Sequence, residues 1–327
     1  MHFPDSTNLR PALLALCLAI LLGCAPPVAA PGAPQRVVEI KLGVVGQGSD
    51  AAAPEFAAQE RGIYDKYGLK VDITEYNSGP AAQEALAGGS ADIIHYFPPG
   101  VATAIRQGVK QKMIATDIIR PSGWYIMAAA TSDIRTPEDL NGKKIGITAK
   151  GSTTDFYALW LADRYRVQIE IVPVGFPALY PGVLAGTIDV AVIPPPLSFR
   201  GVQTGELRTI IDLGREMPPN MPDVVTVSDD LISKQPEAIA NYVKAIFETI
   251  RLMKQEREFS IDFLVKHTKQ DRAIAERSYE LIIKELSDDG SFTTEWLENS
   301  LSLVRLGGIA DLPPTDQLYT TRFVPAR

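Results

Sequence analysis

The feature that most constrains this chain is a pattern of strands and helices that occurs twice. The first copy runs VEIKLGVV (38–45), PEFAAQERGIYDKYG (54–68), KVDITEYN (70–77), PAAQEALAGG (80–89) and ADIIHYF (91–97). Short β-branched runs alternate with helical spacing, so this reads β-α-β-α-β, the mark of a parallel sheet covered by helices. The second copy begins at KKIGITAKGS (143–152), which parallels IKLGVVGQGS (40–49). A helix follows at TTDFYALWLADRY (153–165) and a strand at QIEIVPVG (168–175). ALYPGVLAGTIDVAVIPPP (178–196) then parallels AAQEALAGGSADIIHYFPPG (81–100), sharing Leu-Ala-Gly, an Asp, an apolar strand and Pro-Pro in that order. Two such units imply two α/β lobes.

The segments around the copies complete the outline. Two strand-like runs, KMIATDI (112–118) and WYIMAAA (124–130), lie between them. A helical turn follows at SDIRTPEDLNG (132–142), with Thr136 placed to cap it ahead of Pro137. After the second copy, LRTIIDLGRE (207–216) is a strand, and 223–254 begins as a strand and continues as a long amphipathic helix. The remainder is helical to about Gly307.

The amino terminus stands apart. PALLALCLAILL (11–22), after Arg10, is an apolar run too short for a stable membrane span. LLGC (21–24) follows, and resembles the bacterial lipobox, in which the Cys is lipidated and becomes the first mature residue. We expect a signal peptide at 1–23, lipidated Cys24 and a flexible tether at 24–35. A plain secretory signal cleaved near Ala29 or Ala30 is the alternative.

Composition narrows the class. In 327 residues, 46% are hydrophobic and 22% charged, a globular balance that can bury a core without staples. The net charge of -7 and the lack of a strongly basic stretch argue against nucleic-acid binding. Cys17 and Cys24 leave the mature chain no internal disulfide and no cysteine cluster. His2, His95 and His267 have no ligand-like spacing, so neither a metal nor a cofactor is expected.

Specific runs carry a family resemblance. TPEDLNGKKIGI (136–147), GSTTDFYALWL (151–161), VLAGTIDVAVIPPP (183–196) and the long stretch 53–93 resemble the sulfonate/taurine/nitrate-type solute-binding proteins of bacterial ABC importers. The resemblance implies a two-lobed type II periplasmic-binding-protein fold, shared with thiamine-pyrimidine synthases. Each lobe would be a mostly parallel sheet with flanking helices. Two hinge crossings, near Met127 and Met221, would give lobe 1 as 36–126 plus 222–327 and lobe 2 as 127–221. It further implies a monomeric, non-enzymatic protein of the periplasm or cell surface, tethered to the membrane only by its lipid. Its cleft would close on a solute and signal an ABC permease and its ATPase.

In open α/β sheets ligands sit beyond the carboxyl ends of the strands. Here those ends carry small and polar loops at 46–51, 77–81, 95–99, 149–154, 175–177 and 193–196. The candidate ligand-binding residues are Gln47, Gly48, Ser49, Ser78, Gly79, His95, Tyr96, Phe97, Trp124, Ser152, Thr153, Thr154, Phe176 and Pro195. The loops at Ser78 and Ser152 each open a helix, Pro80 standing at the first position of the former. Free N–H groups and helix dipoles there suit an anion. Ser152 with Asp155 is equally the pattern of a structural N-cap, and capping does not exclude ligand contact. His95, Tyr96 and Phe97 either form an aromatic wall or pack beneath the helices. Arg120 either meets a carboxylate or is solvated. The aromatic content favours an organosulfonate or aromatic carboxylate, with a pyrimidine or nitrate as the alternative.

Rival functions find less support. Gly46-x-Gly48-x-x-Ala51 after a strand matches a dinucleotide fingerprint, but AKGSTT in the second copy lacks it, and export would remove the chain from the NAD pool. An enzyme of the thiamine-pyrimidine precursor synthase type would need a cysteine cluster that this chain lacks. No G-x-S-x-G or H-E-x-x-H run is present. A ligand sensor for another membrane partner is the remaining alternative to a transport component.

Overall fold

The computed structural model describes residue 2 and residues 37–325. The expected signal peptide, tether and Cys24 lipidation site lie outside the described stretch. No helix among the described residues is long and apolar enough to cross a membrane.

Among the described residues, ten strands form two five-stranded sheets. They are β1 (Val38–Val45), β2 (Leu69–Tyr76), β3 (Ile93–Tyr96), β4 (Gln111–Ile118), β5 (Tyr125–Ala129), β6 (Lys143–Ile147), β7 (Ile169–Pro173), β8 (Val190–Ile193), β9 (Leu207–Asp212) and β10 (Asp223–Ser228). The orders are β2-β1-β3-β10-β4 and β7-β6-β8-β5-β9. Substituting β6, β7, β8, β9 and β5 for β1, β2, β3, β4 and β10 turns one order into the other, so the sequence repeat is a structural repeat. Each sheet holds one antiparallel strand, β10 against β3 and β4, and β5 against β8 and β9. In each case it is the first strand made after the chain changes sheets. The chain leaves the first sheet after Ile118 and enters the second at Tyr125, so Met127 already lies inside β5, opposite Ala191 and Thr209. It returns between Asp212 and Asp223.

Local chemistry sets the elements. Along β1, Ile40, Leu42 and Val44 are buried at alternate positions while Glu39 and Lys41 are not, the period-two pattern of a half-covered strand. The long helix Pro236–Gln255 buries Ile239, Val243, Ile246, Ile250 and Met253, the stripe of a helix lying on a sheet. It packs on the helix Ala53–Glu60. The helix expected over 54–68 is broken in two, Ala53–Glu60 and Ile63–Lys66, because Gly62 takes a left-handed conformation (φ 65°) between them. Thr136 and Asp139 do form a reciprocal capping box around Pro137.

The second crossing is held by the carboxy-terminal helix Thr294–Ser302. The Met221 N–H donates to Ser300 Oγ (2.9 Å), and Asn299 Nδ2 donates to the Pro219 carbonyl (2.8 Å). Asn220 Oδ1 accepts from the buried Tyr157 hydroxyl (2.9 Å). A segment that changes lobes cannot satisfy its polar groups in a ladder, so these neighbours do it instead.

Candidate functional site

The carboxyl ends of the parallel strands face each other and enclose a cavity of about 680 Å³, counting the part open to solvent. The first sheet supplies Val44 and Val45 at the end of β1, Ser49 after it, Gly79, and His95 and Tyr96 of β3. The second supplies Thr148, the 152–154 loop, Phe176 and Pro194. Trp124, Pro222 and Asp223, from the two crossings, complete the wall. A mostly apolar cleft with few convergent polar groups is the usual form of a small-molecule site.

The helix Thr153–Tyr165 points its amino terminus at this cavity. Ser152 caps it, its Oγ accepting from the Asp155 N–H (3.3 Å). The return bond of a capping box is displaced by one residue, because the Asp155 carboxylate accepts from Gly151 N–H (2.8 Å). Thr154 Oγ1 accepts from Thr148 N–H (2.9 Å) and lies 2.7 Å from Ser152 Oγ, so it builds the loop. The Thr153 and Thr154 N–H groups are in the first turn and have no intrahelical acceptor. Thr153 is half-buried on the cavity wall, its hydroxyl without a hydrogen bond among the described residues. No Lys or Arg is among the described residues that line the cavity. Lys150 instead pairs with Asp155 at 3.3 Å.

Tyr96 joins the lobes. Its hydroxyl donates to the Gly151 carbonyl across the cleft (2.7 Å). The ring reaches that position by lying against Gly79 and Gly100, where a Cβ on either residue would overlap it. These two glycines are required by close approach, since a side chain at either would displace the ring.

Behind Tyr96 the strand turns His95 to the other face. His95 Nδ1 donates to Asp223 Oδ2 (2.8 Å), and Nε2 lies 3.2 Å from the Tyr242 hydroxyl. Burial opposes the His95 charge, but the carboxylates of Glu55, Asp223 and Asp117 outweigh it and hold the imidazole pKa up at about 10. Burial also raises Glu55 and Asp117 above the usual carboxylate range, Asp117 strongly.

The structure brings Ser49, Gly79, His95, Tyr96, Trp124, Ser152, Thr153, Thr154 and Phe176 onto one cavity. Pro195 lines an adjoining recess that shares Ser49, Ala51, Ile118, Trp124 and Pro194 with it and also holds Arg120. Four other candidates are placed elsewhere. Phe97 is fully buried against Phe156 and Tyr157, on the apolar side of the helix Pro98–Arg106. Ser78 caps the helix Gly79–Ala87 instead of facing the cavity, and Pro80 is the second residue of that helix, not the first. Gly48 packs toward the backbone of His267 and Thr268, and Gln47 is exposed. Sequence reasoning missed Thr148, Pro222 and Asp223. Thr148 was visible as the last polar residue before AKGSTT, but Pro222 and Asp223 reach the cleft only because the chain returns there.

Comparison with known proteins supplies the classification. The model of the NMT1-like family matches residues 33–261. The chain belongs to the NMT1-like family. Among similar proteins, a putative binding protein of Brucella abortus is 26% identical over 223 residues, covering 66% of this chain and 67% of its own. A putative aliphatic sulfonates-binding protein of Bacillus subtilis is 24% identical over 292 residues, covering 85% and 84%. The alkanesulfonate-binding protein of Xanthomonas axonopodis pv. citri, solved with MOPS, superposes with a TM-score of 0.73 at 16% identity over 87% of this chain and 99% of that one. That superposition shows the periplasmic-binding-protein fold.

Proposed function

We propose that the chain is the solute-binding component of an ABC importer and captures a small organic anion, an organosulfonate or aromatic carboxylate, between its lobes. The observation that carries this reading is the amino-terminal turn of the helix Thr153–Tyr165, which presents the free Thr153 and Thr154 N–H groups to a cavity walled by Trp124 and Phe176. N–H groups and the helix dipole bind an anion without a fixed cation, while the rings cover an apolar or flat remainder. The names of the binding-protein relatives support the same class. In this reading residues 36–126 with 222–327 and residues 127–221 act as the two lobes. Ligand that bridges them shifts the opening equilibrium toward closure, and a permease with its ATPase reads the closed form. The protein works as an extracytoplasmic monomer, is anchored through Cys24, and catalyses no reaction.

Asp223 favours one second reading. Its side chain is 16% exposed and uses Oδ2 for His95, so the other oxygen is available to a ligand donor. An aminopyrimidine would use it.

Calorimetric titration with alkanesulfonates, aromatic carboxylates, an aminopyrimidine and nitrate tests both readings. A sulfonate or carboxylate should bind, and Thr153→Asp should abolish binding without lowering helix content, since it places like charge at the anion position. Binding of nitrate alone would end the organic-anion reading. Unchanged affinity in Thr153→Asp would remove this loop from the site.

A further inference from the structure

Behind the cleft wall lies a group of buried charges for which solute capture has no use. Because β10 lies between β3 and β4, with Val225 opposite both His95 and Ala115, side chains from positions 95, 117 and 223 are gathered on one face of the sheet. The helix Ala53–Glu60 covers that face and brings Glu55 to it. One donor atom from each of Glu55, His95 and Asp117 lies within 4.8 Å of the other two. Glu55 and Asp117 are 0% exposed and His95 3%.

Their hydrogen bonding is incomplete. Asp223 takes the Nδ1 proton of His95 at 2.8 Å, which turns Nε2 toward Glu55 Oε1 at 3.1 Å. That approach is not aligned as a hydrogen bond, and neither Glu55 oxygen has a hydrogen-bond partner among the described residues. Both oxygens of Asp117 also lack one. So does the hydroxyl of Tyr64, a residue 3% exposed whose ring stacks on Tyr242 and which feels the Glu55 carboxylate. Three carboxylates surround one imidazole, with no Lys or Arg among the described residues paired to any of them. Buried oxygens without partners call for a donor or a cation.

The geometry points to a divalent transition-metal site formed by His95 Nε2, Glu55 and Asp117, with Asp223 orienting the imidazole and the Tyr242 hydroxyl at its edge. A carboxylate that holds the far nitrogen of a ligating histidine is the common outer partner of such sites. Metal–ligand bonds of ~2.0–2.2 Å place neighbouring donors ~3.4 Å apart. The His95–Glu55 spacing of 3.1 Å is therefore already close to that edge, and the longest spacing, at most 4.8 Å, must contract by up to about 1.4 Å. One imidazole and two carboxylates suit Mn²⁺, Fe²⁺ or Zn²⁺ better than the all-oxygen ions Mg²⁺ and Ca²⁺. The ion would meet the partnerless carboxyl oxygens and tie β3, β4 and the helix Ala53–Glu60 together beneath the cleft. His95 and Asp223 also line the cavity, so the site abuts the cleft. This site stands whether or not the cleft binds an anion.

The test uses the full chain without an added histidine tag. Metal content is measured after dialysis against Zn²⁺ or Mn²⁺, and melting temperature with and without each ion, Mg²⁺ and Ca²⁺ serving as controls. We expect one Zn²⁺ or Mn²⁺ retained per chain and a rise in melting temperature that a chelator reverses. Glu55→Gln combined with Asp117→Asn should abolish both, yet melt no lower than the metal-free parent, because it also removes two buried carboxyls. Asp223→Asn should weaken the metal roughly 10–100-fold. A parent chain that retains no ion and shows no metal-dependent shift overturns the proposal, as does a double variant that still binds the ion as tightly.

Discussion

Asp50 offers a direct test of how burial is energetically organised near the cleft. It opens the short helical turn after Ser49, is 0% exposed, and neither carboxylate oxygen makes a well-aligned hydrogen bond to a described residue. Burial raises its pKa to about 7, with the nearby Ser278 hydroxyl acting weakly in the opposite direction. An acid whose folded pKa lies above its unfolded value holds its proton longer when folded, so stability falls as pH rises between the two values. Below pH 3.8 both states are protonated, and above about 7 both are ionised. The two values differ by about three, and at ~1.4 kcal/mol for each the full loss is about 4 kcal/mol. Asn keeps the shape and removes the titration. The Asp50→Asn variant and its parent should therefore differ little at pH 4. At pH 8 the variant should be more stable, by up to about 4 kcal/mol. For a chain of this size each kcal/mol moves the melting temperature by ~2–4 °C. Denaturant or thermal unfolding of both proteins at the two pH values gives the double difference, in which the other buried acids cancel. Parallel pH profiles for the two proteins would show that Asp50 is ionised at no cost in the fold, and would refute the reasoning.

Other perturbations follow from the lobe contact. Tyr96→Phe removes the hydroxyl that reaches Gly151 and leaves that carbonyl without this donor. Ligand affinity measured by calorimetry should fall up to about tenfold, the equivalent of a net hydrogen bond of ~0.5–1.5 kcal/mol, while the melting temperature changes little. Gly100→Ala drives a methyl group into the Tyr96 ring and should lower stability by about 1–3 kcal/mol in denaturant unfolding. In combination with Tyr96→Ala that cost should largely disappear, and additive losses would place the strain elsewhere.

Much of this architecture can be read from the chain because its information is local or repeated. Alternation in VEIKLGVV marks β1, and the caps Ser152 and Thr136 stand where the helix and turn begin. The duplicated unit dictates two sheets of one design. The loops at 46–51 and 149–154 follow corresponding strands of the two units, so both lie at carboxyl ends, where ligands gather. Phe97 shows the limit of this logic. It is adjacent to two cavity residues in sequence, yet the chain turns into the helix Pro98–Arg106 and buries it.

The sequence by itself determined the repeat, the strand and helix order, the two-lobed class and the polar loops that meet at the cleft, because each depends on periodicity and capping within a few residues. Only the tertiary structure decided that β10 returns between β3 and β4, and with it that Asp223 and Asp117 meet His95 beneath Glu55. Those four residues span positions 55 to 223, with no shared spacing to announce them. Their proximity comes from strand order and register, which are set by packing of the whole sheet and not by any local run of residues.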